Sequence, residues 1–246
     1  MPYIDVHCHL DRLKSIKDVV ERARDAKVSV IVTSGIDLDS NKKALSFASE
    51  FHEVKAVLGL HPLDIGNITQ KEINECIKFI KENNKKIIGI GETGIDLKDK
   101  TNLDEQKEIF ERMIELALEL NKPIIVHSRK AEEICIELLE KYNAKKVLMH
   151  CFSGKVKLLK RIVDNGWFIS IPASIKYSEQ FQRNAKEVDT ENILCETDSP
   201  FLHPDRQMDN EPMNVVESYK MIAKIKGISL KDCEKKIESN FKRLFE

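Results

Sequence analysis

Short, mostly apolar runs rich in β-branched residues recur along the chain, at residues 3–9, 28–34, 55–61 and 86–92. Four more follow at 123–128, 146–151, 167–171 and 193–197. Such runs are the pattern of parallel strands buried on both faces. Between them the spacing becomes that of amphipathic helices. In 103–121, Ile109, Phe110, Met113, Ile114, Ala117 and Leu120 fall on one face. Asn102 or Thr101 is placed to cap its start. Segments 132–142, 156–165, 215–226 and 230–244 read the same way, with Gly166 placed to end 156–165. Eight runs alternating with helices predict an α/β fold, a TIM (β/α)8 barrel. The alternative is an open doubly wound sheet.

Composition narrows the class. The 246 residues are 41% hydrophobic and 33% charged, which excludes a disordered, collagen-like or membrane-embedded chain. With no linker-like or low-complexity tract, one domain is expected over 1–246. Net charge is −1, far from the basic balance of a protein that wraps duplex DNA through its phosphates. Any phosphate contact must therefore be local. The six cysteines, at 8, 76, 135, 151, 195 and 233, contain no C-x-x-C pair and fit reduced thiols. No signal peptide or membrane span is visible, so a soluble cytoplasmic protein without membrane contact or obligate protein partner is expected.

The chemistry lies where polar residues interrupt the apolar runs. His7 and His9 end the first run, and an i, i+2 pair on a strand faces one way. Glu92 ends the fourth, His127 and His150 fall at the ends of the fifth and sixth, and Glu196 and Asp198 close the eighth. In a parallel barrel these strand ends open on one face. A lone histidine at a strand end is most simply structural; four imidazoles with carboxylates at equivalent positions are not. This donor set suits Zn²⁺, Mn²⁺ or Mg²⁺ and has room for two ions, which together can activate water for displacement at phosphorus. Alternation turns Cys8, Cys151 and Cys195 away from that pocket. Arg129 can clamp a phosphate or form a structural ion pair. His61 and Ser153 are further candidates for contacting substrate oxygens, and His203 lies near the last strand's loop. Asp96 either orients a metal ligand or closes its own turn.

The runs Asp5-Val6-His7-Cys8-His9-Leu10-Asp11, Gly59-Leu60-His61-Pro62 and Gly91-Glu92-Thr93-Gly94-Ile95-Asp96 occur in that order. Val126-His127-Ser128-Arg129, Met149-His150-Cys151-Phe152-Ser153-Gly154, Glu196-Thr197-Asp198-Ser199-Pro200 and Asn210-Glu211-Pro212 continue it. This series resembles the TatD family of metal-dependent deoxyribonucleases over residues 5–212, with a family-like tail at 240–245. The resemblance implies a TIM barrel with a divalent-metal centre of His7, His9, Glu92, His127, His150 and Asp198. It makes Glu92 a bridging carboxylate and Asp198 a metal ligand that orients or deprotonates the attacking water. The implied activity is hydrolysis of DNA phosphodiester bonds, often 3′→5′ on single strands, with DNA 3′ ends as substrate.

The chain departs from the family's pattern at three positions. Leu63 stands where a second histidine often follows His-Pro, Leu97 where an aromatic residue is usual, and Asp209 where arginine commonly precedes Asn-Glu-Pro. These bear on contacts to nucleic acid rather than on the ligand set. The alternative enzyme class is an amidohydrolase-type hydrolase of a small amide, lactone or ester. The non-enzyme alternative is a degenerate barrel that binds a partner, against which the intact ligand set argues.

Overall fold

Val, Ile and Leu crowd the eight apolar runs, and each becomes a strand because helices cover one face and the barrel interior the other. The computed structural model describes residues 2–65, 68–98, 102–207 and 209–246. The strands are β1 Tyr3–Cys8, β2 Val28–Ser34, β3 Val54–Leu58 and β4 Gly89–Gly94. They continue as β5 Ile124–His127, β6 Val147–Met149, β7 Phe168–Pro172 and β8 Ile193–Glu196. All pair in parallel, each with its neighbour in sequence, from β1 through β8. The expected TIM barrel in a single domain is therefore what the chain forms, and the open doubly wound sheet, whose strand order reverses, is excluded.

The seam between β8 and β1 is closed partly by side chains. Two backbone bonds cross it, from Asp198 N to His7 O at 3.0 Å and from His9 N to Ser199 O at 2.8 Å. Below them the Asp5 carboxylate accepts from Thr197 N at 2.9 Å and Thr197 Oγ1 at 2.5 Å. The Tyr219 hydroxyl, from the helix Val215–Lys226, accepts from Ile4 N at 3.0 Å and donates to Ile4 O at 3.2 Å. Buried backbone groups must find partners, and here Asp5 and Tyr219 supply them.

Helices outside the barrel follow the predicted faces. In Leu103–Glu119 the residues Ile109, Phe110, Met113, Ile114 and Ala117 are buried, while Leu120 falls just past the helix end. The Asn102 side chain caps it by accepting from Glu105 N, and Thr101 lies outside the described residues. Gly166, at φ 73°, follows Val156–Asp164 in the left-handed conformation that ends helices. No helix among the described residues is long and apolar enough to cross a membrane.

Strand limits differ from the sequence pattern at two places that matter to the site. β3 stops at Leu58, three residues before His61, and the Asn41 side chain takes over the next residue's backbone, accepting from Gly59 N at 3.0 Å and donating to Gly59 O at 2.9 Å. β4 begins only at Gly89, after the turn Asn84–Lys86, and runs past Glu92 to Gly94. Gly91 and Gly94 have φ of 140° and 144°, and a Cβ on either would strike the backbone oxygen of Ile125 or His127. These two glycines let β4 lie against β5 with Glu92 held between them.

Candidate metal centre

Glu92 stands at the centre of the barrel's C-terminal mouth, 2% exposed, and its two oxygens face two different sets of histidines. Oε2 lies 3.4 Å from His7 Nε2 and 3.3 Å from His9 Nε2. Oε1 lies 2.7 Å from His127 Nδ1, 3.3 Å from His150 Nε2 and 3.5 Å from His61 Nε2. Asp198 joins the first set, with Oδ1 at 3.6 Å from His7 Nε2 and 3.7 Å from His9 Nε2. All six residues read from the sequence as ligands thus converge. Among the described residues three donor groups emerge: His7, His9 and Asp198; His7, Glu92 and His150; His61, Glu92 and His127.

The spacing tests whether such a cluster suits a cation. A tetrahedral site with bonds of about 2.1 Å has edges of about 3.4 Å. His7 Nε2 and His9 Nε2 are 3.3 Å apart, and the donors around them are separated by 3.3–3.7 Å. Imidazole and carboxylate donors at these separations fit a divalent ion. His61 enters as a member of one donor group, a place that its position beyond β3 did not reveal.

Four of the histidines are held from behind. Ser34 Oγ lies 3.2 Å from His7 Nδ1, and the Ser34 carbonyl 3.2 Å from His9 Nδ1, so one residue of β2 orients both rings. Glu196 Oε2 contacts His150 Nδ1 at 3.1 Å and accepts from Ser170 Oγ at 2.6 Å. Asp96 does both things the sequence allowed: Oδ2 contacts His127 Nε2 at 2.9 Å, and Oδ1 accepts from Lys98 N at 2.8 Å. Gln106 reaches in from its helix, accepting from Asp96 N at 2.8 Å and donating to Asp96 O at 3.2 Å. Carboxylates behind histidines fix tautomer and raise ligand basicity. Sequence reasoning missed Ser34, Ser170 and Gln106. Their only signal was a polar residue inside an otherwise apolar strand or helix face.

Burial and charge pull the donors in different directions. Burial pushes His7 down to about 4, reinforced by His150, on which its ring stacks at 3.9 Å. Burial opposes the charge on His150 too, yet the Glu196 and Glu92 carboxylates override it and raise that ring well above its usual value. Burial would also raise Glu92, but His61, His150 and His7 keep it well below the usual range and ionised. Asp198 is pushed up to about 6 by burial, against the pull of His150 and His9.

A cleft of about 530 Å³ opens over the cluster. Arg129 and Ser153 are exposed on its wall, as the sequence suggested; burial works against the Asp96 charge, but hydrogen bonds from His127 and Lys98, with the charges of His127 and Arg129, hold its carboxyl below the usual range. Two expectations need correction. Cys151 lines the cleft rather than turning away, because β6 ends at Met149 and alternation lapses two residues earlier. Glu196 stays fully buried behind His150 and is absent from the cleft wall. Cys8 and Cys195 are buried and stay off that wall, with Cys8 Sγ donating to Val32 O at 3.4 Å. His203 closes a turn by accepting from Asp205 N at 3.0 Å and does not line the cleft.

Comparison with known proteins places this geometry in context. The family described as TatD related DNase matches residues 4–246. An uncharacterized metal-dependent hydrolase of Methanocaldococcus jannaschii is 36% identical over 247 residues, covering 99% of this chain and 97% of the relative. The human Deoxyribonuclease TATDN3 is 34% identical over 257 residues, covering 98% and 94%. A TatD homologue of Escherichia coli superposes with a TM-score of 0.93 at 22% identity, over 99% of this chain and 97% of that one. An uncharacterized amidohydrolase from Saccharomyces cerevisiae shares the fold at a TM-score of 0.86 and 16% identity, over all of both chains.

Proposed function

The chain belongs to the TatD family of metal-dependent hydrolases, and on that premise we propose that it is a deoxyribonuclease that removes nucleotides from DNA 3′ ends. In this reading two divalent ions, Mg²⁺, Mn²⁺ or Zn²⁺, are held by His7, His9, Glu92, His127, His150 and Asp198, with His61 beside the second. The observation that carries it is Glu92, whose Oε2 faces His7 and His9 while Oε1 faces His127, His150 and His61. A carboxylate so placed is what a pair of ions needs as its bridge. When bound, such ions lower the pKa of water and offset charge on attacking and leaving oxygens.

The chain's own groups supply the rest. Asp198, beside His7 and His9 at the cluster's edge, is suited to orient water and take its proton at a carboxylate oxygen. The water oxygen forms the new bond to phosphorus while the bond to the leaving nucleoside oxygen breaks, and that oxygen takes up a proton. Arg129 presents a guanidinium fork to a phosphate oxygen from the exposed wall. The Ser153 hydroxyl offers a further donor on that wall. His150, fixed by Glu196, and His127, fixed by Asp96, stay in place through the cycle.

The test is release of mononucleotides from a 3′-labelled single strand by the metal-loaded protein. Steady release supports the reading. Hydrolysis of a small amide, lactone or ester, with the labelled strand left intact, supports the amidohydrolase alternative instead.

A further inference from the structure

Phe201 is 47% exposed, one of four large hydrophobic residues among the described residues that stand in solvent, and it lines the cleft above the donor cluster. Water normally penalises such a placement. Yet the ring is not on a loose loop. Phe201 N donates to Asp198 O at 2.8 Å, and Phe201 O accepts from Asn210 Nδ2 at 2.7 Å. Asn210 is itself fully buried and also donates to Thr197 O at 2.9 Å. The backbone that aims Phe201 is thus anchored to the strand end that carries Asp198.

Two neighbours fix the ring's setting. His9 meets it edge-on, with centroids 6.3 Å apart and planes at 70°. The Arg12 guanidinium lies over one side of the ring, 5.8 Å from its centroid, and Arg12 N donates to His9 O at 3.1 Å. Arg12 is exposed and lines the same cleft. An aromatic face and a guanidinium are therefore presented together, both tied by short segments to proposed ligands. A small neutral ester needs neither. A nucleotide needs both, because every base offers a π-face and every linkage a negative charge.

We propose that Phe201 and Arg12 form a nucleobase platform, on which the base beside the scissile phosphate stacks while Arg12 binds the flanking phosphate. This rests on the deoxyribonuclease reading and names how a single strand, rather than a duplex, is selected: only an unpaired terminal base is free to lie on the ring.

The test uses the metal-loaded protein and a single-stranded oligonucleotide with phosphorothioate linkages at its 3′ end, which slow cleavage, and 2-aminopurine as the terminal base. Stacking on Phe201 quenches that fluorophore. For Phe201→Ala the dissociation constant should rise about five- to a hundredfold, the range of one base–aromatic stack, and the quench should vanish. Phe201→Tyr should restore both, whereas Phe201→Leu, which keeps bulk without a π-face, should not. On a cleavable strand, replacing the terminal base by an abasic site should slow the wild type and leave Phe201→Ala nearly indifferent. Normal binding by the wild type with unchanged affinity and quench in Phe201→Ala overturns the platform alone. No oligonucleotide binding by the wild type overturns the deoxyribonuclease reading, and the platform with it.

Discussion

The floor and the mouth of the cleft are built on opposite principles. On the floor, His7, His9, Glu92 and His150 are at most 5% exposed, and His7, His9, His127 and His150 each have a partner behind the ring. At the mouth, Arg12, Leu63, Arg129, Ser153 and Phe201 stand in solvent. Buried polar groups must be satisfied, so the floor is over-determined and admits little change. The exposed groups bear no such constraint, so the mouth can vary while the chemistry below persists. Leu63, 38% exposed where the family often has histidine, illustrates that freedom. In the proposed reading the floor carries the hydrolysis and the mouth selects what is hydrolysed.

The sharpest way to break this division is to alter the floor. Asp198→Asn and Glu92→Gln should each lower turnover by about 10⁴-fold or more, as loss of a group acting in a catalytic unit does. For Asp198→Asn, oligonucleotide binding by fluorescence anisotropy should persist, because the mouth is untouched. A next, smaller effect should come from the groups behind the histidines. Glu196→Gln and Asp96→Asn should weaken metal affinity or activity about ten- to a hundredfold, read by metal titration against a competing chelator. Equal affinity in all three proteins would mean that these carboxylates serve the fold and not the ligands.

Altering the mouth should change selectivity. Arg129→Ala should lose about ten- to a hundredfold in kcat/KM on an oligonucleotide, the worth of a charged hydrogen bond, with metal content unchanged. Its loss on a small neutral ester should be negligible. Comparable losses on both would remove the phosphate-clamp role. The smallest effects belong to the thiols. Cys8→Ala and Cys195→Ala should reduce stability by about 1–2 kcal/mol in denaturant melts and keep the metal. Burial pushes Cys76 and Cys233 up to about 12, so both should stay unlabelled by a thiol reagent at pH 8 in the folded protein.

The same contrast explains what could be read without coordinates. Floor residues sit within two residues of a strand end, where a histidine or carboxylate interrupting an apolar run is conspicuous, so the convergence of His7, His9, Glu92, His127, His150 and Asp198 was legible. The helix 103–121 was legible for a similar reason, its buried face repeating at helical spacing. Cys151 was misjudged because it lies beyond its strand, where alternation no longer governs direction, and the place of His61 in a donor group was not visible for the same reason. Ser34, Gln106 and Asn210 act through contacts across the sequence, such as Asn210 with Phe201, and nothing local announces a partner. Phe201 reads as one more apolar residue until the fold leaves it in solvent. Asp5 meets Thr197, and Tyr219 meets Ile4, only because the barrel closes.

The central claim is that Glu92 bridges two ions, one toward His7 and His9 and one toward His127 and His150. Anomalous diffraction from crystals grown with Mn²⁺ tests it directly. Two peaks about 3.5–4 Å apart are expected, each within bonding distance of a different Glu92 oxygen. A single peak, or two peaks with Glu92 bound to neither or only one, would contradict it.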